Sequence, residues 1–157
     1  MYSQTTHNTV RFTVAQMEDA HQLQPMVAGL YQEDANPESP KLTAPQINRT
    51  LAELHSKPDK GKVVAMWSNN ELAGYAIIIY FWSNEYGGNV IEIDELYVAP
   101  NHRSKGLGKS FFEWLFTEYE NSSGFALQVS RTNDRARKLY EAVGFTKSSS
   151  SYMLKIK

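Results

Sequence analysis

The segment Arg103-Ser104-Lys105-Gly106-Leu107-Gly108-Lys109-Ser110 lies between a stretch of strand character and one of helical periodicity. A strand that turns through glycines into a helix aims several unpaired backbone N–H groups at one point, where the helix dipole favours an anion. Gly106 and Gly108 let the main chain come close to a bulky phosphate group, and Arg103, Lys105 and Lys109 add positive charge. Two other nucleotide motifs fail on spacing. No glycine stands where a Walker A loop needs its first one. The dinucleotide fingerprint meets Phe111 at its third glycine, and Gln128 and Val129 where its acid belongs. Just upstream, Glu92, Asp94 and Glu95 place three acids in four positions of a stretch that Ile91, Ile93, Leu96 and Val98 mark as a central strand. Alternation sets Glu92 and Asp94 on one face and Glu95 on the other, so at least one acid faces a wet cleft. A carboxylate so placed can take a proton from a nucleophile.

Other chemistries are excluded by what the 157 residues contain. Without cysteine there is no disulfide, thiolate nucleophile or Cys-based metal site. His7, His21, His55 and His102 are scattered with no ligand spacing, so no metal is expected. With a formal net charge of −1, the chain has no basic cluster dense enough for nucleic acid. The patches Arg103/Lys105/Lys109 and Arg131/Arg135/Arg137/Lys138 suit a smaller polyanion. Hydrophobic residues at 41% and charged residues at 21% fit a folded globular chain. No run approaches the roughly 18 apolar residues of a membrane span. The N-terminus lacks a signal-peptide layout. A cytoplasmic protein without a membrane partner is the expectation.

The elements that must position these residues follow from periodicity. Val10 to Val14 alternates as a strand, and Met17, Ala20, Leu23, Val27 and Leu30 recur at helical spacing, with Pro25 expected to kink that helix or divide it. After the polar stretch Asn36 to Lys41, Thr43-Ala44-Pro45-Gln46 reads as a capping box for a helix through Ile47, Leu51 and Leu54. Lys62 to Trp67 and Leu72 to Trp82 form a hairpin about Ser68-Asn69-Asn70-Glu71. Asn89 to Val98 is the next strand, Gly106 to about Asn121 a helix, and Phe125 to Val129 a strand. Asn133 caps a helix closed by Gly144. Phe145 to Lys147 and Tyr152 to Ile156 are expected to close the fold as a hairpin. Residues 1–157 thus read as a single α/β domain (α+β mixed), with a mixed sheet flanked by helices.

The pattern Arg-x-x-Gly-x-Gly after Leu96-Tyr97-Val98-Ala99-Pro100 resembles the pyrophosphate motif of the GCN5-related N-acetyltransferases. Asn133-Asp134-Arg135-Ala136-Arg137-Lys138-Leu139-Tyr140-Glu141-Ala142-Val143-Gly144-Phe145 is similar to that family's Asn…Ala…Leu-Tyr…Gly-Phe helix. The resemblance is to members that acetylate small amines and polyamines. It implies a mostly antiparallel mixed sheet splayed at the cofactor site, with acetyl-CoA as cofactor. Leu96, Tyr97 and Val98 would pair with its pantetheine arm. Arg103, Ser104, Lys105, Gly106, Leu107, Gly108, Lys109 and Ser110 would hold the pyrophosphate, with Asn133, Arg135, Lys138 and Tyr140 completing the site. The Val98 N–H would stabilise the developing oxyanion. Tyr140 would act as general acid and either Asp94 or Glu95 as general base, directly or through water. The acceptor residues implied are Tyr31, Glu33, Asp34, Tyr80, Trp82, Glu85 and Tyr86, a mix of acids and aromatics suited to a small cationic amine. A protein N-terminus or lysine, a longer acyl-CoA, and a non-catalytic acyl-CoA sensor are the alternatives. Pairing into a homodimer is common among such proteins.

Overall fold

The computed structural model describes residues 8–33 and 46–157, so the capping box over 43–46 and the acceptor candidate Asp34 lie largely or wholly outside the described residues. Strands β1 (Val10–Val14), β2 (Gly61–Ser68), β3 (Glu71–Ser83) and β4 (Gly88–Val98) form an antiparallel meander, and β5 (Gly124–Leu127) joins β4 in parallel. The parallel step needs a crossover, which helix α3 (Leu107–Glu118) provides. Helices α1 (Ala20–Glu33) and α2 (Gln46–Ser56) pack on one face of the sheet, through Leu23, Leu51, Val63, Tyr75 and Ile77. On the other face lie α3 and α4 (Asp134–Ala142), over Val64, Ile78, Ile93, Phe111 and Phe112.

Local chemistry accounts for most boundaries. Asn69 and Asn70 both adopt left-handed backbone (φ 50° and 65°), as a two-residue hairpin turn requires and as asparagine tolerates better than most residues. Asn133 caps α4, its side chain accepting from the Ala136 N–H at 3.1 Å, and Gly144 (φ 106°) ends it. α1 runs unbroken through Pro25, which therefore marks no boundary. Pro25 is only the sixth residue of the helix, so little of the hydrogen-bond ladder precedes the donor it lacks.

Two departures from the sequence reading matter. The β3–β4 register jumps from Ile77↔Glu95 to Ile78↔Ile93, so Asp94 is an extra residue in a β-bulge. The bulge breaks the alternation expected for the acids. Glu92 and Asp94 keep one parity, and after the extra residue Glu95 falls on their side, while Leu96 and Val98 rejoin the α3 face with Ile91 and Ile93. The second departure is at the C-terminus: residues 145–157 contain no strand, and Tyr152, Met153, Leu154 and Ile156 are exposed. The expected closing hairpin is absent from the structure.

Candidate active site

β5 pairs with β4 only from Val90 to Ile93, opposite Gly124 to Leu127. Beyond that point β4 continues to Val98 with no strand beside it, so the sheet is splayed. The Ala99 N–H donates to the Ala73 carbonyl at 2.8 Å, which fixes the ladder's phase: Tyr97 turns its backbone groups toward β3, and Leu96 and Val98 turn theirs toward the open side. That open edge can accept an extended, amide-containing chain as if it were another strand.

At the end of the edge the chain passes through a short 3-10 turn, Pro100–His102, and then through Ser104 (φ 61°) and Gly106 (φ 78°) into α3. Gly106 is the N-cap and has no side chain to offer. The Ser110 N–H is bonded to the Gly106 carbonyl, and helix geometry leaves the N–H groups of Leu107, Gly108 and Lys109 without an intrahelical acceptor. A Cβ at Gly106 would meet nothing within 4 Å, so the space over the turn is open. The cradle fits a pyrophosphate.

Arg103 is placed differently from a simple phosphate ligand. Its Nε donates to the Val98 carbonyl at 2.7 Å, its guanidinium lies 5.2 Å from the Tyr97 ring centroid, and its Nη2 contacts both oxygens of Glu33. Glu33 also lies 3.7 Å from Arg135. Lys105 donates to the Asn101 carbonyl, and Lys109 and Lys138 are exposed. Among the basic candidates, then, Arg103 braces the β4 end while the lysines remain at the surface.

The bulge directs Asp94 and Glu95 together into a cavity of about 710 Å³ between the sheet and helices α1 and α2. Ile77 and Ile79 line it from β3, and Val27 and Tyr31 from α1. Burial pushes both carboxyls above the usual carboxylate range, and the charge of Asp94 adds to the effect on Glu95. Glu92 is shifted the same way, first by burial and then by Asp94. The Tyr31 and Tyr75 phenols act on Glu95 in the opposite sense, as hydrogen-bonding neighbours, and are themselves pushed up by burial and by its charge. Even so, Glu95 Oε1 and the Tyr75 hydroxyl are buried with no direct partner within hydrogen-bond geometry. Buried polar atoms are nearly always satisfied, so the unsatisfied oxygen of Glu95, a residue that lines the cavity, marks a place for water or a polar ligand group.

The remaining candidates divide. Tyr140, on α4, is half-buried, edge-on to Phe112 and Phe145 with ring centroids 5.8 and 6.2 Å away. Tyr31 joins Asp94 and Glu95 in the cavity. Glu33 is turned to the arginines. Tyr80 reaches the cavity rim, but its hydroxyl is bound to that of Tyr119 at 2.6 Å, and Trp82, Glu85 and Tyr86 are exposed where β3 meets β4, away from the cavity. The described members of the acid-and-aromatic set expected for the acceptor are not brought together. The cavity is lined instead by a polar stripe of α2, Gln46, Arg49, Thr50 and Glu53, together with Lys60. The i, i+3, i+4, i+7 spacing of that stripe was the sequence signal for it. Among the described residues no group of three or more His, Asp or Glu could hold a metal, and no helix is long and apolar enough to cross a membrane.

The family model described as "Acetyltransferase (GNAT) family" matches residues 25–145. N-alpha-acetyltransferase 40 of Saccharomyces cerevisiae is 37% identical over 71 residues, which is 40% of this chain and 25% of that protein. Streptothricin acetyltransferase of Streptomyces lavendulae is 29% identical over 89 residues, 55% of this chain and 45% of that one. The chain thus covers less than half the length of either. A crystal structure of ribosomal-protein-alanine N-acetyltransferase from Brucella melitensis biovar Abortus 2308 superposes with a TM-score of 0.75 at 23% identity, covering 94% of this chain and all of that one, a likeness of fold.

Proposed function

The chain belongs to the acetyltransferase (GNAT) family, and on that premise we propose that residues 1–157 act as one N-acetyltransferase domain, moving the acetyl group of acetyl-CoA to the amine of a small acceptor that arrives as a cation. The observation that carries this reading is the bulge at Asp94, which turns two carboxyls with raised pKa values into one cavity beside the splayed edge of β4.

Leu96 would hold the pantetheine arm through its open-side N–H and carbonyl, while the Val98 carbonyl is engaged by Arg103. The N–H groups of Leu107, Gly108 and Lys109 would hold the pyrophosphate, with Lys105, Ser110, Asn133, Arg135 and Lys138 around it. When bound, acetyl-CoA supplies an activated thioester. The protein's residues do the rest. Asp94 or Glu95, ionised, draws a proton from the incoming ammonium, leaving a neutral nitrogen to attack. The Val98 N–H donates to the carbonyl oxygen as negative charge builds there. As the C–N bond formed and the C–S bond broke, the Tyr140 hydroxyl would give its proton to the departing sulfur, and the remaining excess proton of the attacking nitrogen would pass, through water, to the Tyr140 phenolate and restore the phenol.

The direct test measures CoA release from acetyl-CoA across a panel of amino acids, diamines, aminoglycosides and peptides. Turnover with at least one amine is expected, and tight acetyl-CoA binding with no turnover on any amine would favour a sensing module instead.

A further inference from the structure

The cavity is polarised. Its floor carries Asp94 and Glu95, while its α2 side carries Arg49 and Lys60. Lys60 and its neighbour Lys57 share one oxygen of Glu53, at 2.7 and 2.8 Å, so that trio is already paired and keeps a net positive charge. Arg49 lies one turn earlier on the same face of α2 and makes no ion pair or hydrogen bond among the described residues. The lining also includes the aliphatic Ile47 on α2 and Ile77 and Ile79 on β3. The cavity's volume of about 710 Å³ has room for a small amine with a short methylene chain.

We propose that the acceptor is an amine that also carries a carboxylate, with its amine on Asp94 and Glu95 and its carboxylate on the guanidinium of Arg49. This rests on the transferase reading and narrows its acceptor to amino-carboxylates such as free amino acids. A diamine matches the floor equally well, but it would bring its second cation to a side of the cavity that is already positive. Like charges brought together there disfavour binding, whereas a planar guanidinium can take a carboxylate through two parallel N–H bonds. The polyamine-type acceptor suggested by sequence resemblance thus meets the wrong charge at one end.

Lysine and cadaverine differ by that carboxylate alone, as do ornithine and putrescine at a shorter chain length. Each is titrated calorimetrically into the CoA-loaded protein. At least one amino acid should bind more tightly than its matched diamine by about fivefold, the scale of one solvent-accessible ion pair, and the preference should shrink as salt is raised. Arg49→Ala should abolish the preference and Arg49→Glu should reverse it, with diamine binding unharmed in both. Equal or tighter diamine binding at both chain lengths, no binding of any of the four, or a preference indifferent to both substitutions would overturn the proposal. CoA release from acetyl-CoA is read separately. An amino acid that binds with the expected preference and is never acetylated counts against the transferase reading and leaves the charge polarity standing.

Discussion

Glu33, the last residue of α1, grips Arg103 with both carboxylate oxygens 2.9 Å from Nη2. Arg103 belongs to the glycine turn yet spends its donors on Glu33 and on the Val98 carbonyl, so it joins α1 to the end of β4. Tyr31 lies two residues before Glu33 on the same helix and faces Glu95, so one stretch of α1 touches both Arg103 of the glycine turn and the cavity that holds Asp94 and Glu95.

If Arg103 is a brace, charge alone cannot replace it. Arg103→Lys should lose nearly as much as Arg103→Ala, about 2–3 kcal/mol of stability, because an ammonium cannot bond Val98, fork onto Glu33 and stack on Tyr97 together. Glu33→Gln should cost less than about 1 kcal/mol, since that side of the pair is solvent-accessible. Urea denaturation of the three variants decides this. Full stability in Arg103→Lys would mean that the residue serves only through its charge.

Gly106 and Gly108 make separable demands. Alanine at 106 meets no atom but must hold φ near 78°, a strain of about 1 kcal/mol. At 108 the added Cβ would come within 2.9 Å of Leu139 Cδ2 on α4, next to Tyr140. Gly106→Ala should therefore weaken acetyl-CoA binding several-fold through the distorted cradle, with kcat little changed. Gly108→Ala should leave the cradle backbone in place and lower kcat modestly, because the end of the Leu139 side chain, next to Tyr140, must yield. Initial rates against acetyl-CoA concentration separate the two.

The cradle and the α4 cap were legible because each is a local device: a glycine turn, and an asparagine at a helix start. The bulge was also written in the sequence. Ile91 and Ile93 share a parity that Leu96 and Val98 break, and a strand that keeps all four on one face must contain an extra residue between them. Strict alternation concealed it and sent Glu95 to the wrong side. The acceptor residues were harder to place, since their roles depend on pairing across the fold. Tyr80 finds Tyr119, 39 residues away, and Glu33 finds Arg103, 70 residues away, and no local pattern announces either partner. The C-terminal segment has strand-like alternation and no strand partner, so propensity there outran tertiary support.

Glu95 offers a test in which stability and activity move oppositely. Its carboxyl is raised by burial, so the folded state holds the proton more tightly than the unfolded chain does. Stability from this group is present below the unfolded value, near 4.3, and is lost as pH rises through the higher folded value. Above that higher value, where the side chain is ionised, its burial is a cost. Glu95→Gln should raise neutral-pH stability by about 1 kcal/mol, a shift of a few degrees in Tm, and the gain should fade on acidification below about pH 4. If Glu95 is the base, the same change should cut kcat by a hundredfold or more, on the scale of general base catalysis. If Asp94 is the base, Asp94→Asn should carry that loss instead. Thermal melts and rate profiles across pH, recorded on both variants, assign the role.

Tyr140 is placed to be both a packing residue and an acid, and one substitution tells these apart. Its ring sits edge-on between Phe112 and Phe145, contacts that Phe reproduces without the hydroxyl. Tyr140→Phe should therefore keep that ring packing, and thermal melts report whatever the hydroxyl adds to stability. Acetyl-CoA affinity should hold as well, since the cradle N–H groups are untouched. If the hydroxyl protonates the departing sulfur, kcat should fall by about ten- to a thousandfold, with KM for both substrates nearly constant, the signature of an interaction made only in the transition state. The loss should ease with an acyl donor whose thiol has a lower pKa, because a better leaving group needs less help from an acid. An unchanged kcat would leave Tyr140 a packing residue and shift the search for the proton donor to solvent.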